Sequence, residues 1–386
     1  MLFTCELDLI VIGVQLAGLA VVAGAAVELA LRARVFDPTK PYVLNPGWQA
    51  TFCPSSDGTP GIHRKAKTRI NRLGLRGEVP RRGALPRVLT LGGSTTEDIM
   101  LEFADSWPGL LQSHLRRSHP KAWVGNAGKA GSNARHCAMQ LETLLSRIAG
   151  IHIVVLLAGL NDLLYDFRIH HPSDLPPDWD RKQAFKYLPS ETLAWYQRLA
   201  TVELARRWLS ALREDRKHPL VDLGAQIATY KLRRRAVRAE DFIRDVPDLS
   251  QPLTRFGEVL ERIVMLVARH GAELVLVTQP AIWVDAPGPE VRSRLYAGGV
   301  NGPHQWLLDA RNPWYHHTVL RRMLDSYNDI SRAVCRRYGL ICVDLAETMP
   351  KSAEFFYDDF HFSAAGSAFA AGEIAAVLAT RCRACR

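Results

Sequence analysis

The sequence predicts an α/β fold, a three-layer sandwich with a five-stranded parallel sheet at its centre, preceded by an N-terminal transmembrane helix. The first observation is a set of five short apolar runs that read as strands: Arg87 to Leu91, Ala122 to Asn126, His152 to Ala158, Glu273 to Thr278 and Leu340 to Asp344. The second is the helical period between and after them, at Trp107 to Arg117, Ala134 to Ile148, Phe256 to His270, Leu320 to Tyr338 and Ala364 to Ala379. Apolar strands joined through helices imply a parallel sheet covered on both faces. The third is that 386 residues with 47% hydrophobic content suffice for a full core, about two domains being the expectation from length.

Taken in order, the chain begins with Leu9 to Leu31, 23 positions in which only Gln15 and Glu28 are strongly polar. Roughly 20 apolar residues cross a bilayer, so this stretch is expected to attach the protein as a single-pass membrane anchor. A cleaved signal peptide is the competing reading, with Ala23, Ala25 and Ala26 as cleavage context. The absence of a basic n-region and the length of the apolar run argue against it. Glu6 and Asp8 precede the span while Arg32, Arg34 and Lys40 follow it, so charge alone would put the large domain in the cytoplasm. Long domains cross regardless of charge.

Residues 36–86 are rich in Pro, Gly and basic side chains and are expected to form a connecting segment that packs on the main domain. Within it, Asn71-Arg-Leu-Gly-Leu-Arg-Gly77 reads as a turn. The domain organisation expected is therefore an anchor over 1–35, the connecting segment over 36–86, and a main domain over 87–386. A helical insertion at about 163–250 interrupts that domain between the third and fourth strands. The insertion carries the basic run Lys231-Leu-Arg-Arg-Arg235, which is expected to face solvent, contact with anionic lipid being the alternative. Starting beside the end of a strand, the insertion is expected to shape a cleft and to be dispensable for chemistry.

The formal charge of +10 arrives without any zinc-finger, RNA-binding or dinucleotide fingerprint, so no nucleic-acid partner is expected. Seven cysteines, an odd number without dense spacing, do not make a disulfide scaffold. Cys382 and Cys385 have redox or metal spacing, but they follow the last helix instead of opening one, and no second pair accompanies them. The His170-His171 and His316-His317 pairs lack carboxylates at ligand spacing. Neither a metal nor any other cofactor is expected.

Four stretches carry chemistry. Val88 to Asp98, VLTLGGSTTED, is a strand running through Gly92 and Gly93 into Ser94 and the first turn of a helix. At such a turn the new backbone N–H groups have no internal partners and the helix dipole is positive, which favours a developing oxyanion. An N-cap serine is the bland alternative. Asn126-Ala-Gly-Lys-Ala-Gly131 follows the second strand, its small residues allowing a backbone N–H to approach a ligand. Gly159-Leu-Asn161-Asp162 closes the third strand with a carboxamide able to donate toward an oxyanion or to cap its loop. Tyr357-Asp358-Asp359-Phe360-His361 precedes the last helix. A carboxylate three residues before a histidine can hold its Nδ1–H, leaving Nε2 free to take a proton from a serine.

In this order, each near a strand end or before the final helix, the four stretches resemble the SGNH hydrolases, also called the GDSL esterases and lipases. The resemblance covers about Arg87 to Leu378 without the insertion and implies that family's flavodoxin-like fold. It implies Ser94 as nucleophile and first oxyanion donor, Gly131 and Asn161 as second and third donors, and His361 as base, oriented by Asp358. One departure is that Gly-Asp-Ser-Leu stands here as Gly92-Gly93-Ser94-Thr95, without the aspartate. The anchor followed by the Asn-x-x-Gly-x-Arg-Gly turn is similar to membrane-attached bacterial members, which implies an extracytoplasmic catalytic domain.

The function expected is a serine esterase acting on acyl esters of carbohydrate or lipid through an acyl-enzyme. An acyltransferase passing the same acyl group to a sugar hydroxyl is the alternative within enzymes; a non-catalytic cell-envelope binding protein is the alternative outside them. Product release with and without a carbohydrate acceptor separates the first two. The intact Ser94, Asn161, Asp358 and His361 speak against the third. Asp359, only two residues before His361, is expected to face solvent or to cap the following segment.

Overall fold

The computed structural model describes residues 2–168, 178–189, 194–213, 220–300 and 313–382. The chain divides into two compact units, one comprising Met1–Tyr42 and Tyr187–Lys217, the other Val43–Lys186 and His218–Arg386. His170, His171 and Cys385 lie outside the described residues, and Cys382 is buried at the end of the last helix.

In the larger unit five strands form one sheet: β1 (Arg87–Gly92), β2 (Trp123–Asn126), β3 (Ile153–Leu157), β4 (Glu273–Val277) and β5 (Ile341–Val343). Their order is β5-β4-β3-β1-β2, every neighbouring pair parallel. Each lies within a predicted run or extends it by one residue. The runs were legible because strands covered on both faces are apolar throughout: all five residues of β3 are buried, as are Val88, Leu89 and Leu91 of β1.

The helices that flank the sheet are α1 (Trp107–Arg116), α2 (Ala134–Arg147), α3 (Leu160–Arg168), α4 (Ser250–Arg269), α5 (His317–Tyr338) and α6 (Ala364–Arg381). The chain moves one way from β1 to β2 and the other way afterwards, so right-handed crossovers put α1 on the face opposite α2, α4 and α5. Accordingly α1 packs on α6, while α4 packs on both α2 and α5. Helix α4 begins six residues before the predicted Phe256, because Pro252 falls in its first turn, where an amide hydrogen has no helical partner anyway.

Two smaller sheets complete this unit. Gln49–Phe52 pairs antiparallel with Ala66–Arg69 and parallel with Leu220–Val221, and Phe242–Ile243 pairs with Trp314–Tyr315. The Asn71 to Gly77 turn then returns to the main sheet. Arg76 exchanges backbone hydrogen bonds with Asn126 at 3.0 and 3.3 Å, covering the free edge at the end of β2.

The smaller unit holds the N-terminal helix, Leu2–Arg34, a single 3-10 turn at Trp195–Arg198 and the helix Ala200–Arg213. The expected helical period of the insertion is thus realised from Ala200 onward. Tyr42 and Tyr187 pair through their backbones, and their rings cluster with Phe36. Within the N-terminal helix, Val14–Arg34 has a mean hydropathy of 1.9 and is apolar and long enough to cross a membrane.

Candidate active site

The carboxyl ends of β1 and β3 meet where the strand order reverses, the position at which open α/β sheets hold their ligands. Ser94 opens a single helical turn, Ser94–Glu97, directly after β1. The two glycines before it are required by contact. A Cβ on Gly92 would overlap Thr96 Oγ1 and the Leu157 carbonyl, and one on Gly93 would overlap the Asn161 carboxamide. The turn therefore lies flush against the end of β3, with Asn161 beside it.

His361 comes to this turn from the loop before α6. Its Nε2 is 2.7 Å from Ser94 Oγ, and its Nδ1 is 2.7 Å from Asp358 Oδ2. Asp358 is fully buried; its other oxygen accepts the backbone N–H groups of Phe360 at 3.0 Å and His361 at 2.8 Å. Two rings lie against the imidazole, Tyr357 stacked at 5.5 Å and Phe360 tilted at 4.7 Å. Burial alone would push the imidazole pKa down. The charge of Asp358 and its hydrogen bond, with Asp98 and Asp359 behind, outweigh burial and hold the pKa above its ordinary value.

Of the remaining sequence-predicted residues, Asn161 donates from Nδ2 to the Ser132 carbonyl at 2.9 Å, which joins its strand end to the second glycine loop. Gly131, one residue earlier in that loop, is exposed and left-handed at φ +78°, with nothing within 4 Å of where a side chain would stand. Ser94, Asn161 and His361 are all partly exposed, whereas Asp358 is sealed beneath them.

Several residues that hold this arrangement were not singled out in the sequence. Asn126 Nδ2 donates to the Thr96 carbonyl at 2.8 Å, and the Trp107 indole N–H to the Thr95 carbonyl at 3.0 Å. Arg76, 1% exposed, donates to the carbonyls of Glu97, Asp98 (2.9 Å) and Leu101 (2.9 Å). It clamps the far end of the serine turn from the connecting segment. Asp98 closes that turn at φ +54°; burial pushes its carboxyl up to about 6, against the bond it accepts from Ser367 and the charge of Arg76. Asp162 accepts from Ala134 N at 3.0 Å and Gly159 N at 3.1 Å, tying β3 to the start of α2.

Two expectations are corrected. Asp359 does not face solvent: it is fully buried and accepts from the Trp283 indole at 2.7 Å and from the Tyr296 and Ala297 amides at 2.5 and 3.1 Å. The basic run of the insertion is solvated only in part: Arg235 is exposed and Arg233 half-buried, but its other two cations are buried. It lies on the helix Leu223–Arg235, where Lys231 and Arg234 are 2% and 6% exposed while Leu232 is 64% exposed. Lys231 donates to the carbonyls of Gly58 (2.8 Å), Asp57 (3.2 Å) and Tyr357 (3.3 Å), the last being the residue before Asp358. Arg234 donates to the carbonyls of Ala297 and Tyr315. Both cations lie within electrostatic reach of buried aspartates, Lys231 of Asp358 and Asp359 and Arg234 of Asp359, an attraction that works against the cost of burying them. Burial lowers the Lys231 pKa to about 8 against the pull of both carboxylates.

A parallel sheet in this order, with a serine, a histidine and a carboxylate hydrogen-bonded in series at its carboxyl ends, has the layout of an SGNH-type hydrolase. The chain belongs to the GDSL-like lipase/acylhydrolase family, whose sequence pattern it matches over residues 90–369. No curated protein matches the sequence significantly. Solved structures similar to it include an alpha/beta hydrolase from the metagenome of Lake Arreo, Spain, at 15% identity and a TM-score of 0.39 over 76% of this chain and 94% of that one. An acetylxylan esterase from Geobacillus stearothermophilus matches at 13% identity and 0.40 over 76% and 94%. A lipolytic protein of the G-D-S-L family from Desulfitobacterium hafniense matches at 9% identity and 0.38 over 76% and 99%.

Proposed function

We propose that the protein is a serine esterase that cleaves acyl esters of carbohydrate or lipid through a covalent acyl-enzyme. The observation that carries this reading is the 2.7 Å approach of His361 Nε2 to Ser94 Oγ, with Asp358 equally close on the other side of the ring. Serine is a poor nucleophile at neutral pH until a base removes its proton. Here Nε2 takes the proton as Oγ attacks the acyl carbon, and the carbonyl electron pair moves onto oxygen. The Ser94 and Gly131 backbone N–H groups and the Asn161 carboxamide are the donors assigned to that oxyanion. Collapse breaks the bond to the alcohol oxygen, which receives the proton from His361. Water, deprotonated by the same nitrogen, then attacks the acyl carbon; collapse breaks its bond to Ser94 Oγ, which takes the proton back from His361 as the acid leaves.

The same reading assigns residues 1–35 to a membrane anchor, 36–86 to a segment bracing the catalytic domain and 87–386 to that domain, on the extracytoplasmic side. A fluorophosphonate probe tests the nucleophile. It should label the wild type and not Ser94→Ala, and a series of acyl esters of increasing chain length should then reveal the acyl preference. A folded wild type that neither takes the probe nor cleaves any ester would sink this reading. Protease added to intact cells or spheroplasts should digest the domain; protection until lysis would reverse the sidedness.

A further inference from the structure

In the smaller unit, the apolar span Val14–Arg34 of the N-terminal helix contains one carboxylate, Glu28, which would be costly in a lipid environment if unpaired. It is fully engaged. Its oxygens accept from Ala200 N at 2.6 Å, from Thr201 N and Oγ1 at 3.1 Å each, and from Arg32 Nε at 2.7 Å. Glu28 thus caps the helix Ala200–Arg213 from outside that helix, and Arg32 adds a bond to the Arg198 carbonyl at 3.1 Å. At a rise of 1.5 Å per residue, the six residues from Glu28 to Arg34 span about 9 Å. The start of the second helix is therefore held within two turns of the end of the first. That is the depth at which tryptophan and tyrosine gather at a bilayer surface.

The residues held there match such a surface. Trp195 is 76% exposed and Tyr196 50%, in a chain whose Trp107, Trp123, Trp283 and Trp314 are all sealed in the core. Along the helix, Ala200 and Glu203 are buried on one side, while Val202 and Leu209, seven residues apart and so on one stripe, are 37% and 49% exposed. Arg206 flanks that stripe with an exposed side chain paired to Glu203 at 2.9 Å. An amphipathic helix solvated on its outer side would show polar residues at 202 and 209. Apolar and aromatic residues on the open side, with arginines beside them, are the composition of a helix lying in a lipid headgroup layer.

We propose that residues 195–213 form an interfacial anchor, in which Trp195, Tyr196, Val202 and Leu209 rest among the lipid headgroups of the bilayer that the N-terminal helix crosses. This rests on the reading of that helix as a membrane span. It makes the attachment two-point, a span and a surface helix locked at Glu28, and assigns lipid contact to a different part of the insertion from the Lys231 run.

The test uses the full chain reconstituted in vesicles of phosphatidylcholine and phosphatidylglycerol, with bromine placed either near the headgroup or near the chain ends of the lipid. The fluorescence of Trp195 is read as the difference between wild type and Trp195→Phe. It should lose more intensity with the shallow bromines than with the deep ones and should resist aqueous acrylamide. Indifference to both bromines overturns the proposal, whether acrylamide then reaches the ring, meaning solvent, or does not, meaning a second copy or another protein covers it. Alkaline carbonate on the same vesicles separates the two readings. If carbonate extracts the chain, the span is wrong, and the quenching of Trp195 still decides whether the surface helix is right.

Discussion

At the residue scale, the two neighbouring aspartates have opposite tasks. Ser94→Ala and His361→Ala should each lower kcat/KM on a short acyl ester by about 10⁴-fold or more, and Asp358→Asn somewhat less, since serine and base remain. Asp359→Asn is different from what its sequence position suggests. Its three N–H donors would meet a carboxamide with a single acceptor oxygen, in a fully buried site. The substitution should cost about 2–4 kcal/mol of stability, read as a lower Tm, while the catalytic rate of the folded fraction changes far less. A variant as stable as wild type would show that Asp359 is not needed for the loop. The raised pKa of His361 sets the pH profile. The base must be neutral, so the acid limb of kcat/KM should lie above the ordinary imidazole value of 6.5. Its stabilising effect has the opposite sense. It is fully present below the unfolded pKa and is lost as pH rises through the folded one, so activity appears over the window in which this contribution to stability disappears. An acid limb below 6.5 would contradict the electrostatic picture.

At the element scale, the insertion helix Leu223–Arg235 supplies two cations that interact with the buried aspartates of the 357–361 loop. Lys231→Met should lower stability by about 3 kcal/mol, because it leaves Asp358 and Asp359 with one fewer buried counter-charge. It should also move the acid limb upward, since the field that favours imidazolium becomes stronger; Lys231→Arg should restore most of the limb. A melting loss with an unmoved limb would mean that Lys231 acts by packing alone. The five strands and the spacing of Asp358 from His361 were legible because periodicity and short-range spacing are local properties. Lys231 and Asp359 were not. A basic run on a helix looks solvated unless one knows that Tyr357, 126 residues away, brings a carbonyl to it, and nothing near Leu232 signals that this leucine faces outward. Arg76 stood between these cases. Its turn was visible as a motif, but its partners, the carbonyls of a turn more than twenty residues later, were not.

At the scale of the whole molecule, the +10 formal charge and the apolar helix make separable demands on membrane attachment. Charge-driven binding is screened at about 1 M salt, where the Debye length is roughly 3 Å, whereas a spanning helix is indifferent to it. The full chain should therefore sediment with the membrane fraction equally in low and high salt. Release by salt would mean that attachment is electrostatic and peripheral.

The clamp formed by Arg76 also decides where the enzyme can be cut. A fragment starting at Arg87 would keep every strand of the main sheet, the serine, the histidine and both aspartates, and it would contain the whole family match. It would lack the guanidinium that gathers the carbonyls of Glu97, Asp98 and Leu101, in a place too buried for water to substitute. A library of truncations should therefore keep turnover only in members that retain Arg76 and its turn, and should lose it in a fragment from Arg87 that still contains Ser94, Asp358 and His361.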